Sequence, residues 1–185
     1  MLLSLFLFLS CLSLLEWIRT CSRIESPQRI SRISDEGGMR SLKNESSKLD
    51  VIIDTKPLVK LFAQEEGWQA VQAILSEVES EELKAGISVV TLTEVYYKYL
   101  QEGRPDLAET RVRQLRYALY LRKIAVNEDI AVKAGDFKGK YKVPIADALI
   151  AASAYVKGAT VISDDPHFKQ IREIQTFTET EFPGR

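Results

Sequence analysis

Acidic residues stand at or just beyond the ends of short apolar runs in this chain, at Asp54, Glu94, Asp147, Asp164 and Asp165. Asp54 closes the run VIID, and Asp164 and Asp165 follow TVIS. Glu94 falls in the first turns of the helix expected after a second run, and Asp147 in the first turn of the helix that feeds TVIS. In a parallel sheet, ligands bind beyond the carboxyl ends of the strands, so carboxylates from distant parts of the sequence would meet there. Crowded carboxylates repel one another and persist together only if cations neutralise them. Oxygen donors without thiolate or imidazole choose Mg²⁺ or Mn²⁺ over zinc. Ions held this way activate water and stabilise a pentavalent phosphate, which is the chemistry of phosphodiester hydrolysis. Each acid also has an ordinary structural reading. Asp54 could cap the helix that Pro57 helps to start, and Glu94 and Asp147 could answer a helix dipole. Asp164 and Asp165 could be turn formers ahead of Pro166. Position and periodicity leave both readings open.

Composition narrows the alternatives. In 185 residues, 45% are hydrophobic and 28% charged, the balance of a globular protein rather than a disordered, collagen-like or multi-span membrane chain. Lys+Arg at 25 against Asp+Glu at 26 gives a net charge of −1, so no global basic field marks a nucleic-acid binder, although a local patch is compatible with it. Both cysteines, Cys11 and Cys21, lie near the N-terminus, which excludes a cysteine nucleophile or thiolate metal site from the rest of the chain. A single histidine, His167, excludes a multi-histidine metal site and argues against a histidine-based triad.

The elements that must position the acids begin at Asp50. VIID reads as a buried parallel strand, followed by helices over about 57–63 and 68–78, the second with Trp68, Val71, Leu75 and Val78 on one stripe. Gly86 opens a second strand, ISVV, and TLTEVYYKYLQEG reads as the helix behind it, stopped by Gly103. A long amphipathic helix runs from Asp106 to about Tyr120 with Leu107, Val112, Leu115 and Leu119 inward. KIAV is a third strand, a helix follows from Glu128 to about Phe137, and Pro144 starts a helix ended by Gly158. TVIS is the fourth strand, and Thr176 and Phe177 belong to a short edge strand. Strands alternating with helices predict a parallel sheet covered on both faces.

Residues 1–18 form an apolar segment, read as a membrane anchor or as an extension upstream of a start at Met39; a cleaved signal is the weakest reading, for want of a basic start and a cleavage site. Residues 19–48, rich in Ser and charge, read as a disordered linker, and residues 49–185 as the functional domain.

The segments VIIDTKPLVKLF, TLTEVYYKYL and PIADALIAASAYVKGATVISDDPHF, in that order and spacing, resemble the PIN domain, and most of all the VapC-type toxins of type II toxin–antitoxin systems. The resemblance covers about residues 49–182 and implies a three-layer α/β/α sandwich with a central parallel sheet. It further implies an endoribonuclease dependent on Mg²⁺ or Mn²⁺, working in the cytoplasm as a homodimer and inhibited by an antitoxin protein. By motif, the acidic catalytic and metal site is Asp54, Glu94, Asp147 and Asp165, supported by the hydroxyls of Thr55 and Ser163; Asp164, one residue out of register, is second choice for the fourth ligand.

Two positions depart from the family pattern. Lys56 replaces the usual Asn or Ser and would either weaken metal binding or contact a substrate phosphate. His167 replaces an acid found in many relatives, and reads as a proton donor, an outer-shell ligand or a solvated loop residue. Lys56, Lys60, Lys138, Lys140 and Lys142 are candidates for the RNA backbone, with Tyr141 placed to stack on a base, or else KGKYK is a solvated loop. Tyr96, Tyr97 and Tyr99 suit a core or dimer face better than a base platform. A catalytically inactive PIN-like module that binds RNA or protein is the alternative. A phosphohydrolase of the haloacid-dehalogenase type is disfavoured, because VIIDTK lacks a second Asp two residues after the first.

Overall fold

A computed structural model describes residues 48–182. The apolar segment 1–18, Met39 and all but the last residue of the expected linker lie outside the described residues. Among the described residues no helix is long and apolar enough to cross a membrane.

The described residues begin with β1 (Val51–Ile53), followed by α1 (Thr55–Ala63) and α2 (Trp68–Glu79). Next come β2 (Ala85–Ser88), α3 (Val89–Gln101), α4 (Pro105–Tyr117) and β3 (Arg122–Ile124). Then α5 (Glu128–Tyr141) and α6 (Ile145–Lys157) lead to β4 (Thr160–Ile162), α7 (Pro166–Gln170) and β5 (Thr176–Phe177). The strands form one sheet in the order β3-β2-β1-β4-β5, and every pairing is parallel. Val51 lies opposite both Ala85 and Thr160, which puts β1 at the centre. From β1 the chain builds outward to β2 and β3, then crosses back to add β4 and β5 on the other side. The order reverses between β1 and β4, and a crevice is left at their carboxyl ends.

Alternation along the strands divides the core into two layers. Val51 and Ile53 face Leu58, Ile74, Val95 and Leu115 of α1 to α4, while Ile52 faces Ile130, Phe137 and the alanines of α6. Val161 and Ile162 divide in the same way. Because a strand's side chains alternate faces, an all-apolar strand demands cover on both. The result is the expected three-layer α/β/α sandwich. Ala148, Ala151, Ala152 and Ala154, all fully buried, let α6 lie close against the sheet. Gly86 has a similar role in β2, where an added Cβ would come within 3.0 Å of both the Arg122 carbonyl oxygen and Leu49 Cδ1.

Several element boundaries differ from expectation. The second strand starts and ends earlier than ISVV: Ser88 closes it and its Oγ accepts the Val90 backbone N–H at 3.4 Å, so Val89 and Val90 open α3 despite their β-branched side chains. Helix α4 stops at Tyr117, which leaves Leu119 89% exposed instead of inward; Leu121 takes the buried place. On α2 the buried positions are Val71, Ile74 and Val78, with Trp68 and Leu75 only partly covered. Helix α5 runs on to Tyr141 and ends with Lys142 in the left-handed region (φ 57°), so most of KGKYK is helix rather than loop.

Candidate active site

Asp54 follows β1 and Ser163 follows β4, on neighbouring strands of the sheet. The register puts the Asp54 N–H on the Ile162 carbonyl at 3.1 Å, and Ser163 Oγ donates to Asp54 Oδ2 at 2.7 Å. Asp54 occupies the cap position of α1, yet its side chain makes no capping hydrogen bond. Capping therefore does not explain this residue. Its carboxyl is 4% exposed, and burial, with Glu94 and Asp147 adding repulsion, pushes its pKa from 3.8 up to about 7; the Ser163 hydroxyl pulls the other way.

Glu94 lies in the second turn of α3, past the first turn where a dipole would favour an acid. Thr55 Oγ1 donates to Glu94 Oε2 at 2.5 Å. Burial again raises the Glu94 pKa, and the charges of Asp147 and Asp165 raise it further. Asp147, in the first turn of α6, is raised first by burial and then by Asp165, with His167 opposing. The four acids thus feel one another's charge across the crevice. Asp165 also keeps its turn role, because its Oδ1 accepts the backbone N–H of His167 at 2.9 Å and caps α7.

The tightest group of possible ligands has an unexpected member. Among the described residues, one donor atom each from Asp147, Asp165 and His167 lies within 4.8 Å of the others. Two donors on opposite sides of one ion stand about 4–5 Å apart for bonds of about 2.0–2.5 Å, so this spacing suits a single divalent cation. His167 Nδ1 lies 2.8 Å from Asp147 Oδ2 and 3.0 Å from Asp165 Oδ1. Clustered, partly buried acids with raised affinity for protons have too little positive charge around them, and a divalent cation supplies it. The donor set fits that group.

Three of the candidate lysines have acidic partners. Lys60 Nζ sits between Asp164 Oδ2 at 2.6 Å and Glu179 Oε1 at 2.5 Å, with only 15% of its side chain exposed. Lys56 Nζ lies 3.0 Å from Asp164 Oδ1. Asp164 is therefore committed to two ammonium groups, which hold its pKa below the usual range despite partial burial, and Asp165 is the residue beside Asp147. Lys140 Nζ and the Tyr141 hydroxyl both engage Glu173. Tyr99 is core, whereas Tyr96 and Tyr97 are exposed. Glu179 and Glu173, which anchor these cations, carry no signal in the sequence: each lies far along the chain from its partner.

The PIN domain family model matches residues 51–174, from the first described strand to the turn before β5. This chain belongs to the PIN domain family. Its relatives include Ribonuclease VapC4 of Mycobacterium tuberculosis, 28% identical over 98 residues that make up 50% of this chain and 75% of that protein. Among solved structures, VapBC2 from Rickettsia felis bound to a promoter DNA fragment superposes with a TM-score of 0.57 at 16% identity, covering 70% of this chain and 98% of that one. VapBC-1 from nontypeable Haemophilus influenzae gives 0.57 at 17% identity, covering 71% and 99%. At such identities the structures speak for the PIN fold alone, and the five-stranded parallel sheet between helical layers agrees with them.

Proposed function

We propose that this PIN domain protein is an endoribonuclease dependent on Mg²⁺ or Mn²⁺, the toxin of a toxin–antitoxin pair acting in the cytoplasm. The observation that carries the reading is the meeting of Asp54, Glu94, Asp147 and Asp165 beyond the carboxyl ends of β1 and β4, where three of the four hold protons more tightly than free carboxyls do. The likeness to a ribonuclease supports the substrate class, and the likeness to toxin–antitoxin complexes supports an antitoxin partner.

In this reading the four acids hold the cation, which when bound polarises the scissile phosphate and lowers the pKa of water beside it. Ser163 aims Asp54 and Thr55 aims Glu94, each through a hydroxyl donated to the carboxylate. Those two bonds restrain Asp54 and Glu94, so this half of the donor set is oriented in advance. Lys56 keeps part of its side chain exposed beside Asp164 and stands ready for a backbone phosphate once RNA competes for it. Lys60 is too enclosed for that role. The exposed Tyr96, Tyr97 and Leu100 of α3 suit a homodimer face, and the acidic crevice suits the tail of an antitoxin.

The test is cleavage of a mixed single-stranded RNA by the full chain with Mn²⁺, with EDTA, and as Asp147→Asn. Removal of a metal ligand forfeits several kcal/mol of transition-state stabilisation, so the substitution should slow cleavage by roughly 100-fold or more. EDTA should abolish it. Equal cleavage by wild type and variant would remove the site from the reaction. If neither cuts any RNA, the inactive binding module takes the place of the nuclease.

A further inference from the structure

The sequence places at His167 a side chain that a site built for Mg²⁺ does not need. Pro166 sets the first backbone angle of α7, and the capping bond from the His167 N–H to Asp165 Oδ1 anchors the backbone of His167 beside that acid. Nδ1 is the inner edge of the ring. It is sealed from solvent and lies 2.8 Å from a carboxylate oxygen of Asp147 and 3.0 Å from one of Asp165. The side chain is nonetheless 40% exposed, so the exposure belongs to the outer part of the ring. A ring held with one nitrogen turned into a cluster of carboxylates and the other edge in water has the arrangement of a ligating histidine: the buried nitrogen offers its lone pair, and the outer N–H is satisfied by water.

The remaining acids are arranged consistently with this. Asp54 and Glu94 each already have one oxygen occupied by a hydroxyl. The three-donor group of ion size is formed without them, by Asp147, Asp165 and His167. Imidazole is a poor donor for Mg²⁺, which demands oxygen and sheds water reluctantly, and a better one for Mn²⁺ and the later divalent metals.

We propose that His167 Nδ1 is a direct ligand of the divalent cation, alongside Asp147 and Asp165, and that it makes this site select Mn²⁺ over Mg²⁺. The proposal rests on the reading of the acidic crevice as a metal site and adds a nitrogen to its oxygen donors. The site in this chain is then a mixed nitrogen–oxygen centre.

His167 is the one histidine of the sequence, which makes the test unambiguous. The full chain, prepared without a histidine tag, is loaded with Mn²⁺ and studied by pulsed electron paramagnetic resonance. An imidazole bonded to the ion gives ¹⁴N modulation at the directly coordinated nitrogen, and here only His167 can supply it. In parallel, bound Mn²⁺ is displaced by Mg²⁺ in wild type and in His167→Asp, which restores an oxygen donor at the same place. Loss of an outer-shell partner alone costs about 10-fold in affinity, so removal of a direct ligand should narrow the Mn²⁺-over-Mg²⁺ preference by at least roughly that factor. Directly coordinated ¹⁴N in wild type, together with the narrowed preference in the variant, supports the proposal. Mn²⁺ bound with no such signal and an unchanged preference overturns it while leaving the acidic metal site in place. Failure to bind Mn²⁺ in a manner sensitive to Asp147→Asn overturns both.

Discussion

Asp54 is an acid that the fold prefers to keep protonated. Its pKa of about 7 in the folded chain lies well above the ordinary 3.8, with burial as the main cause. Between those values the folded protein holds a proton that the unfolded chain has released, so stability must fall as the pH rises from about 4 through 7. Glu94 and Asp147 are shifted in the same direction and add to the slope. The largest share for Asp54 alone is on the order of 4 kcal/mol. Thermal denaturation of the metal-free protein should therefore give a lower midpoint at pH 8 than at pH 5. Asp54→Asn, which mimics the protonated acid, should flatten that profile and raise the pH 8 midpoint while losing cleavage. Added Mn²⁺ should stabilise the wild type more at pH 8 than at pH 5, because protons compete for the same oxygens. A midpoint that rose from pH 5 to pH 8 without metal would contradict this account.

At the scale of elements, the alternation of strand and helix was legible because the central strands β1 and β4 are runs of β-branched residues and most helices keep one apolar face. The ends were less legible where a single side-chain contact decides them. Ser88 turns a run of valines into a helix start, and the early stop of α4 throws Leu119 outward. In the site, position alone left Asp54, Glu94, Asp147 and Asp165 open to ordinary capping and turn roles, and it was the resemblance to a family motif that singled them out. The engagement of Lys60 with Glu179 and of Lys140 with Glu173 could not, since pairings across more than thirty residues depend on how loops close. Glycine offers a clean check on this packing. Gly86→Ala would force a Cβ to within 3.0 Å of a backbone carbonyl in the neighbouring strand, so it should cost about 1–3 kcal/mol in equilibrium unfolding. Gly135→Ala, inside α5 with nothing within 4 Å of the new Cβ, should instead stabilise by about 0.5–1 kcal/mol.

For the whole molecule, a net charge of −1 and the ties of Lys56, Lys60 and Lys140 to Asp164, Glu179 and Glu173 reduce the positive charge that is free to meet a phosphate backbone. Single-stranded RNA should therefore be held by few phosphate contacts. About three contacts correspond to a slope near −2 of log affinity against log salt, measurable by titration of a non-cleavable RNA. A slope far steeper would mean that the ion pairs open on binding and release their lysines. The sheet order has a different consequence. Asp54 and Glu94 come from the first part of the fold, Asp147 and Asp165 from the second, and the pairing of β4 with β1 together with the packing of α6 on α3 and the sheet brings the two sets together. Synthesis proceeds from the N-terminus, so β4 is made after β1, β2 and β3. A half-translated chain thus carries two carboxylates and nothing for them to act with. The proposed site can therefore assemble only after β4 has been made and has paired with β1, so whatever chemistry it supports would arise late in the synthesis of this domain.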